Sequence, residues 1–163
     1  MKNISAIQDK ILTKEQAKHF VAAARVTGKT IALTNGCFDI LHEGHIFSLS
    51  QAAKEADLLI VGLNSDSSVK KIKGDHRPLN TEHSRALILA SLLIVDAVVI
   101  FEEDTPEELI KIIQPDAYVK GGDYTIDQLA GANIILRYGG KVIINPFMKG
   151  FSTSGLIEKI KKL

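Results

Sequence analysis

Cysteine is almost absent from this chain: Cys37 is the only one in 163 residues, so no internal disulfide can form and a reducing compartment is expected. No apolar run approaches the roughly 20 residues that a bilayer crossing needs. The stretch 1–10 is polar and lacks the apolar centre of a signal peptide. These absences set the expectation of a soluble, cytoplasmic protein with no membrane attachment. Net charge is nearly lacking too, since 20 Lys and Arg face 19 Asp and Glu to leave +1, and aromatic residues make up only 6%. A nucleic-acid binder needs a basic surface and stacking rings, so nucleic acid is not expected as the main partner. No internal repeat or low-complexity segment is present.

What is there suits a globular enzyme. The length fits one domain over residues 1–163 with a sizeable core, and the 45% hydrophobic and 24% charged fractions are ordinary. Short apolar runs at 30–33, 58–63, 97–101, 117–119 and 141–144 read as strands. Their continuous rather than alternating apolar character predicts strands covered on both faces. Helical patterns lie between and around them at 14–26, 46–56, 82–93, 106–113, 126–138 and 153–162. Thr105-Pro106-Glu107-Glu108 reads as a helix start with a threonine cap, a proline in the first turn and acids behind it. The alternation predicts an α/β fold, a Rossmann-like parallel sheet with helices on both faces. Ligands in such sheets bind beyond the carboxyl ends of the strands.

The chemistry-bearing residues gather at those ends. After the first of these strands comes Thr34-Asn35-Gly36-Cys37-Phe38-Asp39-Ile40-Leu41-His42-Glu43-Gly44-His45, which runs straight into a helical pattern. Two histidines bracketing a glycine at a helix start meet unpaired backbone N–H groups and the positive end of the helix dipole. That is a phosphate-binding environment, with imidazole donors added and Gly44 allowing close approach. A zinc site would need further ligands, and none lies at suitable spacing, so no protein-held metal is expected. After the second strand come Asn64-Ser65-Asp66 and then Lys70, Lys71, Lys73, Gly74, Arg77 and Pro78. The lysines read either as a solvated face or, in a loop beside the histidines, as cations closing on phosphate. Arg85 is a further phosphate candidate, or else a partner in a helix-surface ion pair. Lys120-Gly121-Gly122-Asp123-Tyr124 follows the fourth strand, where paired glycines allow close approach and Asp123 can accept from ribose hydroxyls, although plain turns share the pattern. Gly150-Phe151-Ser152-Thr153-Ser154 opens the last helix with three hydroxyls, more than the one an ordinary cap needs. Cys37 reads as a small buried residue, because phosphoanhydride chemistry needs no covalent thiol.

The block around His42, Gly44 and His45 resembles the His-x-Gly-His signature of the cytidylyltransferase-like nucleotidyltransferases, which in turn resemble class I aminoacyl-tRNA synthetases. Within that superfamily the chain is most similar to the adenylyltransferase domains of ADP-heptose synthases. Asn64-Ser65-Asp66, Lys73-Gly74-Asp75 with Arg77-Pro78, Phe101-Glu102-Glu103-Asp104-Thr105-Pro106, the Lys120 block and Ser152-Thr153-Ser154 carry this likeness. It runs from about Ile11 to the C-terminus. The resemblance implies transfer of the adenylyl group of ATP to D-glycero-β-D-manno-heptose 1-phosphate, giving ADP-heptose, a precursor of the lipopolysaccharide inner core, and pyrophosphate. It implies that His42 and His45 bind the ATP phosphates and stabilise the transition state. Lys73 would close over the phosphates, and Ser152, Thr153 and Ser154 would hold the triphosphate. Thr34, Asn35, Gly36 and Phe38 would line the nucleotide site, with Gly122 and Asp123 near base and ribose. Asp39 is carried over without a defined role. Mg²⁺ would be carried by ATP, and a homo-oligomer is implied.

Three departures from the family pattern stand out. Many relatives fuse this domain to a sugar kinase, so here a separate heptose kinase is expected to supply the 1-phosphate. His83 stands where an acid is usual ahead of Arg85, a change expected to affect helix capping. Gly155, early in the last helix, is expected to loosen the phosphate clamp. The competing readings are a cytidylyltransferase acting on an alcohol phosphate such as glycerol 3-phosphate, and a non-catalytic nucleotide sensor.

Overall fold

A computed structural model describes residues 3–146 and 150–163. Six strands form one sheet in the order β1-β4-β3-β2-β5-β6, and every registered pair is parallel. The strands are β1 Ile11–Leu12, β2 Ile31–Gly36, β3 Leu58–Asn64, β4 Ala97–Phe101, β5 Ala117–Gly121 and β6 Lys141–Asn145. The helices are α1 Ile4–Gln8, α2 Lys14–Val26, α3 Glu43–Ala53, α4 Asp66–Lys73, α5 Glu82–Ala90, α6 Glu107–Ile113, α7 Ala132–Arg137 and α8 Thr153–Ile160. None is long and apolar enough to cross a membrane.

Strand alternation sorts the apolar side chains into two cores. Ile31, Leu33, Ile60, Val99 and Tyr118 pack with α2, α6 and α7 on one face. Ala32, Val61, Val98, Ala117 and Val119 pack with α3 and α5 on the other. Burial on both faces is why the strands read as continuous apolar runs. At the amino edge of the sheet, three aspartates satisfy backbone N–H groups that the ladder leaves over. Asp57 accepts from Thr30, Asp96 from Leu59 and Asp116 from Ile31, each at 2.8 Å.

The chain winds outward from β2 in both directions, through β3 and β4 on one side and β5 and β6 on the other. The switch point is therefore the seam between β2 and β5, where a crevice opens at the carboxyl ends. The seam is registered at Ala32 with Ala117 and Leu33 with Tyr118.

Several expected boundaries shift. The run at 30–33 is the core of a longer strand, so Thr34, Asn35 and Gly36 are strand residues. Polar side chains at a sheet's carboxyl edge do not lower its pairing, but they hide the strand end from an apolar pattern. The helix expected at 46–56 begins at Glu43, with His42 as its N-cap. Lys70, Lys71 and Lys73 are not in a loop; they ride on α4, capped by Ser65. The pattern at 126–138 splits into a 3-10 turn Ile126–Gln128 and α7, separated by Gly131 at φ 85°. There the Ile110 side chain sits where a Cβ would be, 2.4 Å away. The cap of α6 is Pro106 rather than Thr105. The stretch 1–10, of which residues 1 and 2 lie outside the described ones, contributes α1, and β1 begins just after it.

Candidate active site

A cavity of about 550 Å³ fills the crevice at the carboxyl edge. Its wall begins with Thr34, Asn35 and Gly36 at the end of β2, continues through Cys37, Phe38 and Asp39, and reaches His42, Gly44 and His45 on α3. The backbone turns at Phe38, a non-glycine residue at φ 46°, a conformation that costs about 1 kcal/mol or more. Gly36 makes this turn possible: a Cβ there would lie 3.0 Å from the Phe38 ring.

The two histidine rings stack, with centroids 3.8 Å apart and planes inclined by 27°. Phe38 packs against His45 at 5.3 Å. His42 caps α3 with its backbone carbonyl, which accepts from His45 N–H at 2.9 Å, while its side chain makes no cap bond. Its imidazole is thereby left for other work. Among the described residues, Nδ1 of both rings is buried without a partner. Burial lowers the pKa of His42, and burial followed by the neighbouring His42 takes His45 down to about 4. Both rings are thus neutral at pH 7 in the ligand-free protein. The space beside Gly44 belongs to the protein itself. A Cβ there would stand 3.1 Å from His42 Nδ1 and 3.1 Å from Phe151 Cβ, so the glycine admits the stacked ring rather than only a ligand.

Asp39 lines the cavity yet is spent on the fold. Its carboxylate accepts from Leu79 N–H at 2.8 Å, Asn80 N–H at 2.9 Å and Arg77 Nε at 2.6 Å. Burial pushes its pKa up, but the Asn80 and Leu79 N–H groups and the Arg77 guanidinium outweigh this and hold the carboxyl below the usual range. Asp39 therefore fastens the 77–80 segment beneath the site.

Arg85 is placed differently from expectation. It is 1% exposed and lies outside the cavity wall, donating to Asn80 O at 3.0 Å, Cys37 O at 2.5 Å and Asp66 Oδ1 at 2.8 Å. It ties the Cys37 and Asn80 loops to the start of α4 instead of meeting phosphate, and its guanidinium is buried against the half-exposed Asp66 rather than lying on a helix surface. His83 next to it is exposed, and the cap of α5 is Thr81.

Of the lysines, Lys73 lines the cavity, Lys71 pairs with Asp104 at 3.1 Å, and Lys70 lies outside the wall. Gly122 and Asp123 also lie outside it, while their neighbours Gly121 and Tyr124 form part of it. Gly122, at φ 141°, gives its N–H to Asn145 O at 3.0 Å and shapes the turn. Ser152, Thr153 and Ser154 all reach the cavity. Ser152 Oγ accepts from Gly155 N–H at 3.0 Å, and a Cβ on Gly155 would lie 2.9 Å from that oxygen. Gly155 thus makes room for the cap rather than loosening it. Cys37 is half-buried; burial pushes its thiol up despite nearby Lys73, Arg85, Lys120 and Arg77, so it is a protonated thiol and no activated nucleophile.

In the sequence Lys120 is only the start of its block, whose glycines and acid carry the expected chemistry. In the structure it lines the cavity, and its Nζ donates to Asn35 O at 2.9 Å and Asn35 Oδ1 at 3.0 Å. The available signal was its position, a lysine ending an apolar strand at the carboxyl edge. Tyr118, Ser48 and Tyr124 also join the wall unannounced.

Residues 33–158 match the family model described as cytidylyltransferase-like. The chain is 51% identical to the bifunctional protein HldE of Caulobacter vibrioides over 151 residues, 93% of this chain and 31% of that one. With the bifunctional protein HldE of Shigella flexneri it shares 49% identity over 152 residues, 93% of this chain and 32% of that one. It thus spans about a third of the length of the curated relatives it matches. Among solved structures, the lipopolysaccharide core biosynthesis protein from Thermoplasma volcanium GSS1 aligns with a TM-score of 0.61 at 28% identity, covering 76% of this chain and 100% of that one. Pantoate-beta-alanine ligase from Francisella tularensis aligns at 0.59 with 16% identity over 94% and 78% of the two chains, a likeness of fold alone.

Proposed function

This chain belongs to the cytidylyltransferase-like family, and on that premise we propose that it transfers the adenylyl group of ATP to D-glycero-β-D-manno-heptose 1-phosphate, releasing ADP-heptose and pyrophosphate. The observation that carries this reading is the stacked pair His42 and His45 at the open end of α3, facing one cavity with the hydroxyls of Ser152, Thr153 and Ser154. The HldE relatives, about half identical, and the Thermoplasma protein named for lipopolysaccharide core biosynthesis support the sugar assignment.

The reaction asks for positioning and charge neutralisation. The acceptor phosphate, with a second pKa of about 6, is already largely dianionic and needs no general base. One of its oxygens attacks the α-phosphorus of ATP in line; the α–β bridging bond breaks, and pyrophosphate carries the electron pair away. The N–H groups at the start of α3 and the α8 hydroxyls bind the triphosphate oxygens. The neutral imidazoles of His42 and His45 donate single hydrogen bonds as the nucleotide enters, and the incoming negative charge favours their protonation. Lys73 adds a mobile positive charge over the departing pyrophosphate.

Mg²⁺ enters on ATP as part of the substrate. Asp39 has its oxygens occupied and Asp104 is paired with Lys71, so the wall has few free carboxylate oxygens for a metal. In the same reading the protein works in the cytoplasm as a homo-oligomer, and a heptose kinase supplies the 1-phosphate.

The test is Mg²⁺-dependent pyrophosphate release with ATP or CTP, each paired with heptose 1-phosphate or glycerol 3-phosphate. Release only from ATP with the heptose 1-phosphate is the expected result. Release from CTP with glycerol 3-phosphate would overturn the substrates while keeping the reaction class. Nucleotide binding with no release from any pair would overturn catalysis on these acceptors.

A further inference from the structure

We infer that Lys120 binds the acceptor's phosphate, holding the phosphate monoester on the side of the crevice opposite the histidines. The inference rests on the nucleotidyl-transfer reading above and assigns a part of the cavity which that reading leaves open.

The first observation is which face each group occupies. Side chains two apart on a strand share a face. Leu33 and Tyr118 belong to the core covered by α2, α6 and α7, so Asn35 and Lys120 project on that same side. The hydrogen bonds agree: Tyr118 Oη donates to Asn35 Oδ1 at 2.7 Å, beside Lys120 Nζ. His42 and His45 start α3, which packs on the other face through Leu49 and Ala52. The α8 hydroxyls go with the histidines, since Phe151 abuts the space at Gly44 and Thr153 Oγ1 lies 3.5 Å from Ile40 O. A triphosphate held at the starts of α3 and α8 therefore leaves Lys120 facing a different group across the seam.

The second observation is charge. The ammonium's two partners are both oxygens of Asn35, and among the described residues no carboxylate pairs with it. Lys73, also on the cavity wall, bears on it and on the same Cys37 thiol. Burial brings Lys120 down to about 8, opposed in part by Cys37, while Lys73 adds a weaker repulsion. An ammonium set in a crevice without a counter-charge is stabilised when an anion arrives. Two of its three N–H groups are taken by Asn35, which leaves the third for that anion.

The third observation is that the placement is built. Lys120 and Tyr118 both donate to Asn35 Oδ1, which orients the Asn35 amide with its NH₂ as a second donor at the same place. A phosphate monoester seated there would lie across the seam from the nucleotide, as an in-line attack requires.

The test compares wild type with Lys120→Met and Lys120→Arg, each checked for an unchanged urea midpoint. Binding of inorganic phosphate is titrated with the Mg²⁺ complex of α,β-methylene-ATP saturating, and binding of that analogue is measured alone. Lys120→Met is expected to weaken phosphate binding at least about tenfold and analogue binding less than about threefold, because one charge-assisted contact is lost. Lys120→Arg is expected to recover most of it. With active protein, KM for heptose 1-phosphate should rise in parallel, with KM for ATP nearly unchanged. Weakened analogue binding with unchanged phosphate binding would give the ammonium to the triphosphate and overturn the inference. Unchanged binding of both would reduce Lys120 to a prop for Asn35 and overturn it as well. Wild type that binds phosphate but fails to use heptose 1-phosphate would sink the sugar assignment alone, since the phosphate titration still decides Lys120.

Discussion

Acidifying the ligand-free protein should destabilise it, with a large share coming from His45. An unfolded histidine titrates near 6.5, while folded His45 titrates at about 4 because burial, and then its stacked neighbour His42, oppose the charge. Between those values the unfolded chain binds more protons than the folded one, so stability falls as pH falls. The contribution is fully present above 6.5 and fully lost below about 4. Worked through the linkage relation, the loss is about 2 kcal/mol by pH 5 and about 3 kcal/mol in full. Against a domain stability of roughly 5–15 kcal/mol, that is readily measured. The assay is urea unfolding of wild type and His45→Gln at a series of pH values. The other titrating groups remain in both proteins, so the difference between the two stability curves reports His45 together with its coupling to the stacked His42. The variant is expected to lose less stability than wild type on passing from neutrality to pH 5, by about 2 kcal/mol. A parallel pair of curves would refute the reasoning, as would an NMR titration placing the His45 ring at 6 or above. ATP should reverse the shift, because the triphosphate favours the charged ring, so binding near pH 5.5 should take up protons from the buffer.

Three further outcomes are expected. Gly44→Ala puts a methyl group 3.1 Å from His42 Nδ1 and Phe151 Cβ, so kcat should fall about tenfold or more as the stacked ring is pushed aside. Its urea midpoint should move little, and wild-type kcat in this variant would show that the ring position is not critical. Arg85→Lys cannot reproduce three bonds to Asn80 O, Cys37 O and Asp66, and should cost about 2–4 kcal/mol in urea unfolding. A loss below about 1 kcal/mol would mean that the two loops and the start of α4 hold without it. Asp116→Ala removes the partner of Ile31 N–H at the edge remote from the cavity, and should cost about 1 kcal/mol with kcat and both KM values intact. Changed kinetics there would mean that the amino edge couples to the crevice.

The alternation of apolar runs with helical patterns was enough to read a parallel α/β sheet, because strands buried on both faces must be apolar throughout. The histidines were readable as a candidate site for the same kind of local reason: a helix start exposes its N–H groups wherever it occurs, and only about twelve residues of sequence are involved. Thr34, Asn35, Gly36, Gly44, Lys73 and the three hydroxyls at 152–154 also lie on one cavity. What escaped was every property that depends on a partner far along the chain. Arg85 looked like a phosphate ligand until Cys37 and Asp66 claimed its guanidinium. Asp39 had no role until the 77–80 segment came under it. Lys120 is 85 residues from Asn35, and only the side-by-side placement of β5 and β2 turns a strand-ending lysine into a half-buried cation on the cavity wall. Local hydrogen bonding and burial periodicity are written within a few residues of each other; the electrostatic environment of a side chain is set by whichever charges and walls the fold brings to it. The sequence alone therefore determined the layers of this protein and the position of the helix that begins at the two histidines, while the tertiary structure decided which charged groups are free to meet a ligand.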